Sequence, residues 1–132
     1  EPLGGYLWLA ARLVADDADR STLCSAFNFG PNLTSNRTVA DVAEAILRHT
    51  GGGWTDQSDP NAPHEASKLN LAIDRAYHLL DWKPIWDFDQ TIKITADWYM
   101  QERDGADAAK ITSEQIEIYE IAASKAKLPW AS

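Results

Sequence analysis

The chain has 132 residues, a formal net charge of −8 and a single cysteine, Cys24. That length suits one domain, which buries roughly two-thirds of the surface of its unfolded chain. The acidic balance argues against binding to nucleic acids or anionic membranes, because both need local Lys and Arg. One cysteine excludes a disulfide framework within the chain, and the sequence shows no signal peptide or apolar span. We therefore expect a cytoplasmic protein.

The first part of the chain predicts a helix, a strand and a second helix. Apolar residues at helical spacing indicate a helix over 3–16. The run LCSAFNFG, with CSAFNFG at 24–30, is ended by a Gly-Pro pair and has the length of a strand buried on both faces, as in parallel sheets. The next helix has a capping-box pattern at Thr38 and Asp41, and its apolar stripe ends at glycines 51–53.

The middle of the chain mixes short extended and helical patterns. GWTDQ (53–57) indicates a short strand, and SKLNL (67–71) alternates between apolar and polar residues as a strand does. AIDRAYHLL predicts a short helix over 72–80, which must end before Pro84.

The last part predicts two longer helices. The first, over 87–103, is acidic in its first turn and basic near its end, as the helix dipole favours. DGADAAK (104–110) is predicted to be a linker to a last helix over 112–126, which starts with a second capping-box pattern at Thr112 and Gln115. Four or five helices thus accompany one convincing buried strand. Such a strand cannot satisfy its backbone alone, so we expect its partners in a part of the protein outside this chain, which also lacks an initiator Met.

No motif for catalysis or metal binding is apparent. The triple glycine follows a helix, which favours a helix end over a phosphate-binding loop. The three histidines do not have the spacing of a metal site. On an extended chain His64 and Glu65 would point to opposite faces and could not act together on one group. The residues by themselves indicate a non-catalytic domain with a ligand loop at 58–68.

Six stretches occur with an order and spacing typical of one enzyme family. They are EPLGGYLWLAARL, AFNFGP, TVADVAEAI, HEASKLNL, LDWKPIWDFDQTIKITADWY and QIEIY. Together they resemble the C-terminal part of the CDP-glucose 4,6-dehydratases, which belong to the extended short-chain dehydrogenase/reductase superfamily. Nearly the whole chain takes part in this resemblance.

The resemblance implies an α-rich α/β fold, in which a helical substrate-binding lobe joins a last Rossmann-type strand and the nucleotide-binding core lies outside the chain. Residues 1–132 would then be a C-terminal substrate-binding portion. Within it, residues 1–31 would supply the returning helix and strand of the Rossmann core. Residues 32–132 would form the sugar-nucleotide-binding lobe.

The whole enzyme of this family oxidises the sugar C4 with bound NAD, eliminates water across C5–C6 and returns the hydride to C6, in deoxysugar and O-antigen biosynthesis. The chain has neither the Gly-rich NAD fingerprint nor a Tyr-x-x-x-Lys pair. The resemblance therefore implies that NAD is bound by a missing N-terminal Rossmann domain. The chain alone is expected to be inactive, with no catalytic residue, cofactor or metal of its own.

The resemblance also suggests where the substrate binds. Polar and basic residues just before the alternating strand approach the nucleotide diphosphate in the family, and here those positions are His64, Glu65, Ser67 and Lys68. The implied partners are a CDP-sugar and the missing Rossmann domain, and not nucleic acid or a membrane. We also expect a homodimer, because the strand edges and the apolar first helix would lack cover in this chain.

Three positions depart from the family pattern. Ala72 and Arg75 stand where Asp and Lys are usual, and Asp81 replaces the Gly of Leu-Gly-Trp. The first change predicts a weaker helix N-cap unless Asn70 or Asp74 compensates, and the last requires left-handed backbone. Two other interpretations stay open: the same portion of another sugar-nucleotide dehydratase or epimerase, and a free-standing helical interaction module.

Overall fold

The structure, a computed structural model, describes residues 1–15, 19–59 and 70–131. Two 3-10 turns and six α-helices occur in these ranges, but no strand. None of the described helices is long and apolar enough to cross a lipid bilayer. The helices are Pro2–Val14 (α1), Arg20–Leu23 (α2), Val39–Thr50 (α3), Asp74–Leu80 (α4), Phe88–Arg103 (α5) and Ala108–Lys125 (α6), and the 3-10 turns are Leu33–Ser35 and Pro129–Ala131.

The helices pack as two groups. Helix α1 packs against α2 and α4, whereas α5 packs against both α3 and α6. The side chain of Glu1 joins the groups, because its carboxylate accepts hydrogen bonds of 3.0 Å from the backbone N–H groups of Ile85 and Trp86. The start of α1 is thereby fixed to the loop that leads into α5.

The core of the first group is aromatic. Phe29 is buried and makes edge-to-face contacts with Tyr6 and Trp82, at ring-centroid distances of 5.1 and 5.0 Å. A Cβ atom added to Gly5 would lie 2.2 Å from the Phe29 ring, so α1 approaches this ring at a distance only glycine allows. Trp8 completes the contact between α1 and α4, since its indole N–H donates a 2.7 Å hydrogen bond to the carbonyl of Leu80.

Residues 24–30 have no strand partner among the described residues, and the predicted strand, whose partners were expected outside this chain, stays a prediction. Phe27 is half-buried, and both Phe29 and Gly30 are buried beneath α1 and α4. The other residues of the segment, Cys24, Ser25, Ala26 and Asn28, are exposed in this chain. The apolar run is explained by one aromatic face that packs against helices.

Of the two other predicted strands, the one over 53–57 is wrong, and most of the one over 67–71 is not described. Residues 53–57 are exposed and form no strand, because nothing described packs over them. Of the alternating stretch 67–71, the first three residues lie outside the described ranges. Asn70 and Leu71, which are described, are not in a strand.

The predicted helix over 38–50 is confirmed, including both of its ends. The Thr38 hydroxyl accepts a 3.1 Å hydrogen bond from the Asp41 backbone N–H, and the Thr38 N–H donates a 2.9 Å bond to the Asp41 carboxylate. The pKa of the Asp41 carboxyl lies below its usual value, first because the Thr38 hydroxyl donates to it and then because the Thr38 N–H does. Gly51 ends the helix with φ of 69°.

The short helix predicted over 72–80 is confirmed as α4, with a later start. Its N-cap is Ile73, which offers no side-chain hydrogen bond, so neither Asn70 nor Asp74 supplies the missing cap. At the other end Asp81 has φ of 50°, in the left-handed region. The left-handed backbone that is required where Asp81 replaces glycine is therefore present.

The start of the last helix was predicted wrongly. Asp107 caps α6 by accepting a 2.8 Å hydrogen bond from the Ala109 backbone N–H, so the helix starts inside the predicted linker 104–110. Thr112 and Gln115 are not a capping box. Thr112 lies one turn inside α6 and accepts from the indole N–H of Trp98, while the Gln115 amide donates to the Ile94 carbonyl. Both side chains tie α6 to α5, a tertiary role that their sequence spacing does not reveal.

Replacement of Gly5 by Ala should destabilise the protein by about 1–3 kcal/mol, because the added methyl group overlaps the rigid Phe29 ring. Urea unfolding measures this change. Gly53→Ala is the control, since an added Cβ there meets nothing within 4 Å and the free energy of unfolding should stay the same. Equal stability of Gly5→Ala and the wild type would contradict the described packing.

Loss of the α3 cap should also be measurable. Thr38→Ala should lower the free energy of unfolding by about 0.5–2 kcal/mol, and Thr38→Ser should restore most of it. Because the folded-state pKa of Asp41 is lowered, its contribution is present above the usual value of 3.8 and is lost as the pH falls through the folded-state pKa. The difference between wild type and Thr38→Ala should therefore shrink in acid; a difference that grows there would refute this assignment.

Candidate functional site

A cavity of about 740 Å³ lies between two segments that meet beside the aromatic core. One wall is formed by residues 31–34, which follow the buried Phe29 and Gly30. The other is formed by residues 70–74, which lead into α4, and by Tyr77 on that helix. The polar side chains at the cavity are Asn32, Thr34, Asn70, Asp74 and Tyr77.

Two contacts hold the walls together. The side-chain amide of Asn28 donates a 3.3 Å hydrogen bond to the carbonyl of Ala72. A Cβ atom added to Gly30 would lie 3.1 Å from the side chain of Leu71, which shows how closely the two segments approach. The cavity is thus positioned by the segment that carries Phe29, and so by the aromatic core.

Arg75 adds a third contact on the α4 side. Its guanidinium donates to the Ser25 hydroxyl and the Thr22 carbonyl, and it lies over the Phe27 ring at 5.3 Å. The flat guanidinium can stack and donate at once, which the ammonium of a lysine cannot do equally well. The departure from the family pattern at position 75 therefore has a structural role in this chain.

The four predicted substrate-binding residues, His64, Glu65, Ser67 and Lys68, lie outside the described residues, so the structure does not place them. The description resumes at Asn70, which lines the cavity and follows Lys68 by two positions. Of the predicted ligand loop 58–68, only Ser58 and Asp59 are described. The Ser58 N–H donates a 2.8 Å hydrogen bond to Asp56, a local turn and not a ligand site.

The sequence analysis missed the cavity residues Asn32, Thr34 and Tyr77. A signal for the first two was present, because polar residues that directly follow a buried extended segment are well placed to line a site. In the sequence they were indistinguishable from those of an ordinary connecting loop. Tyr77 was assigned only to a helix, since nothing in a short helical pattern tells which side chain faces a cavity.

The cavity is lined by hydrogen-bonding side chains. Its described lining offers amides, a hydroxyl, a phenol and one carboxylate, but no lysine or arginine. No group of three or more metal-ligating side chains occurs among the described residues. Apart from the Asp74 carboxylate these are neutral donors and acceptors, which suit the hydroxyl groups and ring atoms of a polar ligand. They do not fit NAD, whose pyrophosphate is usually held at a glycine-rich turn before a helix.

The lowered carboxyl pKa values also lie at structural positions. The pKa of Asp19 is below its usual value mainly because the Ser21 hydroxyl, and then the Thr22 hydroxyl, donate to it. The pKa of Asp56 is lowered by the Ser58 hydroxyl and next by the Ser58 backbone N–H. Both are turn or cap carboxylates on the surface, and neither lines the cavity.

The chain is similar to the C-terminal part of a known enzyme. The chain is 29% identical over 127 residues to the CDP-glucose 4,6-dehydratase of Salmonella typhimurium. The match covers 95% of this chain and the C-terminal 34% of that enzyme, so the chain spans about a third of the length of the curated relative it matches. No family model matches the chain, and no solved structure does. The match confirms the predicted resemblance to a C-terminal portion of CDP-glucose 4,6-dehydratase.

The Arg75 contact can be tested by substitution. Arg75→Ala should lower the free energy of unfolding by about 1 kcal/mol, because it removes the cation–π contact and the hydrogen bonds to the 22–25 segment. Arg48→Ala is the matched control, since Arg48 makes one exposed contact of 4.0 Å with Asp89 that should contribute almost nothing. Chemical denaturation compares the two variants, and equal effects would argue against the proposed role of Arg75.

Proposed function

We propose that the chain is the sugar-nucleotide-binding, C-terminal portion of an NAD-dependent CDP-glucose 4,6-dehydratase. The observation that carries this proposal is the match over 95% of the chain to the last third of such an enzyme. The described part of the chain supports it with a polar cavity. In this proposal the chain binds and orients the substrate.

The cavity between residues 31–34 and 70–77 would receive an uncharged part of the sugar nucleotide. The side chains of Asn32, Thr34 and Asn70 can donate to and accept from hydroxyl groups, which is what a sugar or ribose offers. The diphosphate needs cations, and the described lining has none. His64 and Lys68, which precede Asn70 closely in the chain, are proposed to supply them.

The NAD chemistry would take place in the remaining two-thirds of the protein. When bound there, the cofactor would accept and later return the hydride of the sugar, and a Rossmann domain would hold it. The outer edge of α1 offers a surface for that domain, since Tyr6 and Val14 are 54% and 76% exposed. The homodimer predicted from the sequence is proposed for the same assembly.

The 132-residue chain with added NAD should not dehydrate CDP-glucose. The longer protein that carries an upstream NAD fingerprint should convert CDP-glucose to a product lighter by one water, detected by mass spectrometry. Turnover by the short chain above a buffer blank would contradict the proposal that catalysis takes place in the rest of the protein. Preferential turnover of another sugar nucleotide by the longer protein would favour the alternative, a different dehydratase or epimerase.

The same measurement tests the predicted phosphate contact. In the longer protein Lys68→Ala should weaken substrate binding by about 1.5–3 kcal/mol, seen as a higher KM, because a charge-assisted hydrogen bond is lost. Lys83→Ala is the matched control, since Lys83 is an exposed lysine on the loop after α4 and does not line the cavity. An unchanged KM for Lys68→Ala would remove Lys68 from the site and leave the family assignment standing.

A further inference from the structure

A second concave surface lies between α1 and α6. This groove has a volume of about 650 Å³ and shares no described lining residue with the cavity beside Asn70. Its volume is in the range of small-molecule sites, and its walls are mainly apolar and aromatic, as such walls usually are. Four of the six tryptophans of the chain line it: Trp8, Trp86, Trp98 and Trp130.

One end of the groove is an aromatic cluster around Tyr119. Trp86 meets the Tyr119 ring edge-to-face at 5.1 Å, and Trp130 stacks on it at 5.4 Å. Gly4 of α1 closes this end, because a Cβ added there would lie 3.2 Å from the Tyr119 hydroxyl. Along α1 the groove continues past Leu7 to Ala11, about 10 Å further on at the rise of an α-helix.

The aromatic end carries negative charge. The described lining has two carboxylates, those of Glu1 and Glu120, and no lysine or arginine, and in the 132-residue chain Glu1 also carries the α-ammonium group. Glu1 is held in place by the N–H groups of Ile85 and Trp86. Burial raises the pKa of Tyr119, and the negative charge of Glu1 raises it further, which shows that the field here disfavours a second anion.

The other end is apolar. Leu7 and Ile116 are 72% and 53% exposed there, and Ala11 is exposed between them. The Trp8 ring already has a cation near it, since the Arg12 guanidinium lies 5.9 Å from its centroid. The aromatic rings around Tyr119 have no such neighbour among the described residues. The carboxylates therefore lie at one end of the groove, and exposed apolar side chains lie at the other.

We propose that this groove binds an amphipathic organic cation, with its ammonium group at the Glu1–Glu120 end and its apolar body along Leu7 and Ile116. Aromatic rings attract cations through their negative faces, and two carboxylates add to this attraction. The same charges repel a diphosphate, so the groove is not a second sugar-nucleotide site. This binding activity goes beyond the proposed dehydratase function and does not depend on it.

A charge series with one common tail tests the proposal on the 132-residue chain. Phenylbutylamine, phenylbutanol and phenylbutanoate carry positive, zero and negative charge, and tryptophan fluorescence and NMR titration measure their dissociation constants. The amine should bind about tenfold more tightly than the alcohol, and the carboxylate should bind most weakly. An excess of CDP-glucose should leave amine binding unchanged, which separates this site from the substrate cavity.

Two variants test the contacts of the ammonium group and of the apolar body separately. Glu120→Gln should abolish most of the preference for the amine, whereas Glu44→Gln on α3, with the same change in net charge away from the groove, should keep it. Ile116→Ala should weaken the amine and the alcohol by the same factor, because it shortens only the apolar wall.

Several results would overturn the proposal. Equal binding of the three compounds would show an unselective apolar surface, and no binding at all would show that the groove is not a ligand site. A preference for the amine that survives Glu120→Gln would place the cation elsewhere. If sedimentation shows a dimer that Leu7→Glu dissociates and no ligand binds, a second copy covers the groove instead. If the short chain binds the amine but the longer protein does not, the rest of the protein covers it.

Discussion

The contact between the Phe29 ring and the bare backbone of Gly5 is the constraint on which the described fold depends. It brings α1 close to the 24–30 segment, and Trp82 then packs against the other edge of the ring. The hydrogen bond from Trp8 to the Leu80 carbonyl fixes the end of α4 to the same place. Asn28, which precedes Phe29, donates a hydrogen bond to the Ala72 carbonyl, and Gly30, which follows it, lies against Leu71. The position of the Phe29 ring therefore also fixes the walls of the polar cavity.

Glu1 extends this arrangement to the second group of helices. Its carboxylate accepts hydrogen bonds from two backbone N–H groups in the loop between α4 and α5, which connects the start of α1 to the entry of α5. The result is two concave surfaces with different chemistry. The cavity beside Asn70 has mostly neutral hydrogen-bonding groups, and the groove beside Tyr119 has aromatic rings and carboxylates. The two are separate because the described lining of the cavity comes from residues 31–34 and 70–77, whereas α1 and α6 provide most of the groove.

The similarity to the last third of CDP-glucose 4,6-dehydratase gives these features a common explanation. In the function that we propose, the chain would supply a shaped surface with hydrogen-bonding groups, which the described cavity offers. It would also present an apolar surface to the rest of the protein, and α1 is apolar on nearly every side. A helix of that composition is normally buried, whereas here its outer face is exposed.

The sequence by itself determined the features whose causes are local. The Thr38 capping box, the glycine end of α3 and the left-handed Asp81 each depend on backbone groups within a few residues, so their patterns could be read directly. The motifs also determined the resemblance to the dehydratase. The tertiary structure decided what depends on distant partners. Phe29, in the apolar run 24–30, packs against helices of this chain. Thr112 and Gln115 form hydrogen bonds with residues of α5, because Asp107 already caps α6 and their partners lie far away in the sequence. The cavity could not be predicted for the same reason: its two walls are about forty positions apart in the chain, and only the packing of Phe29 and Gly30 brings them together.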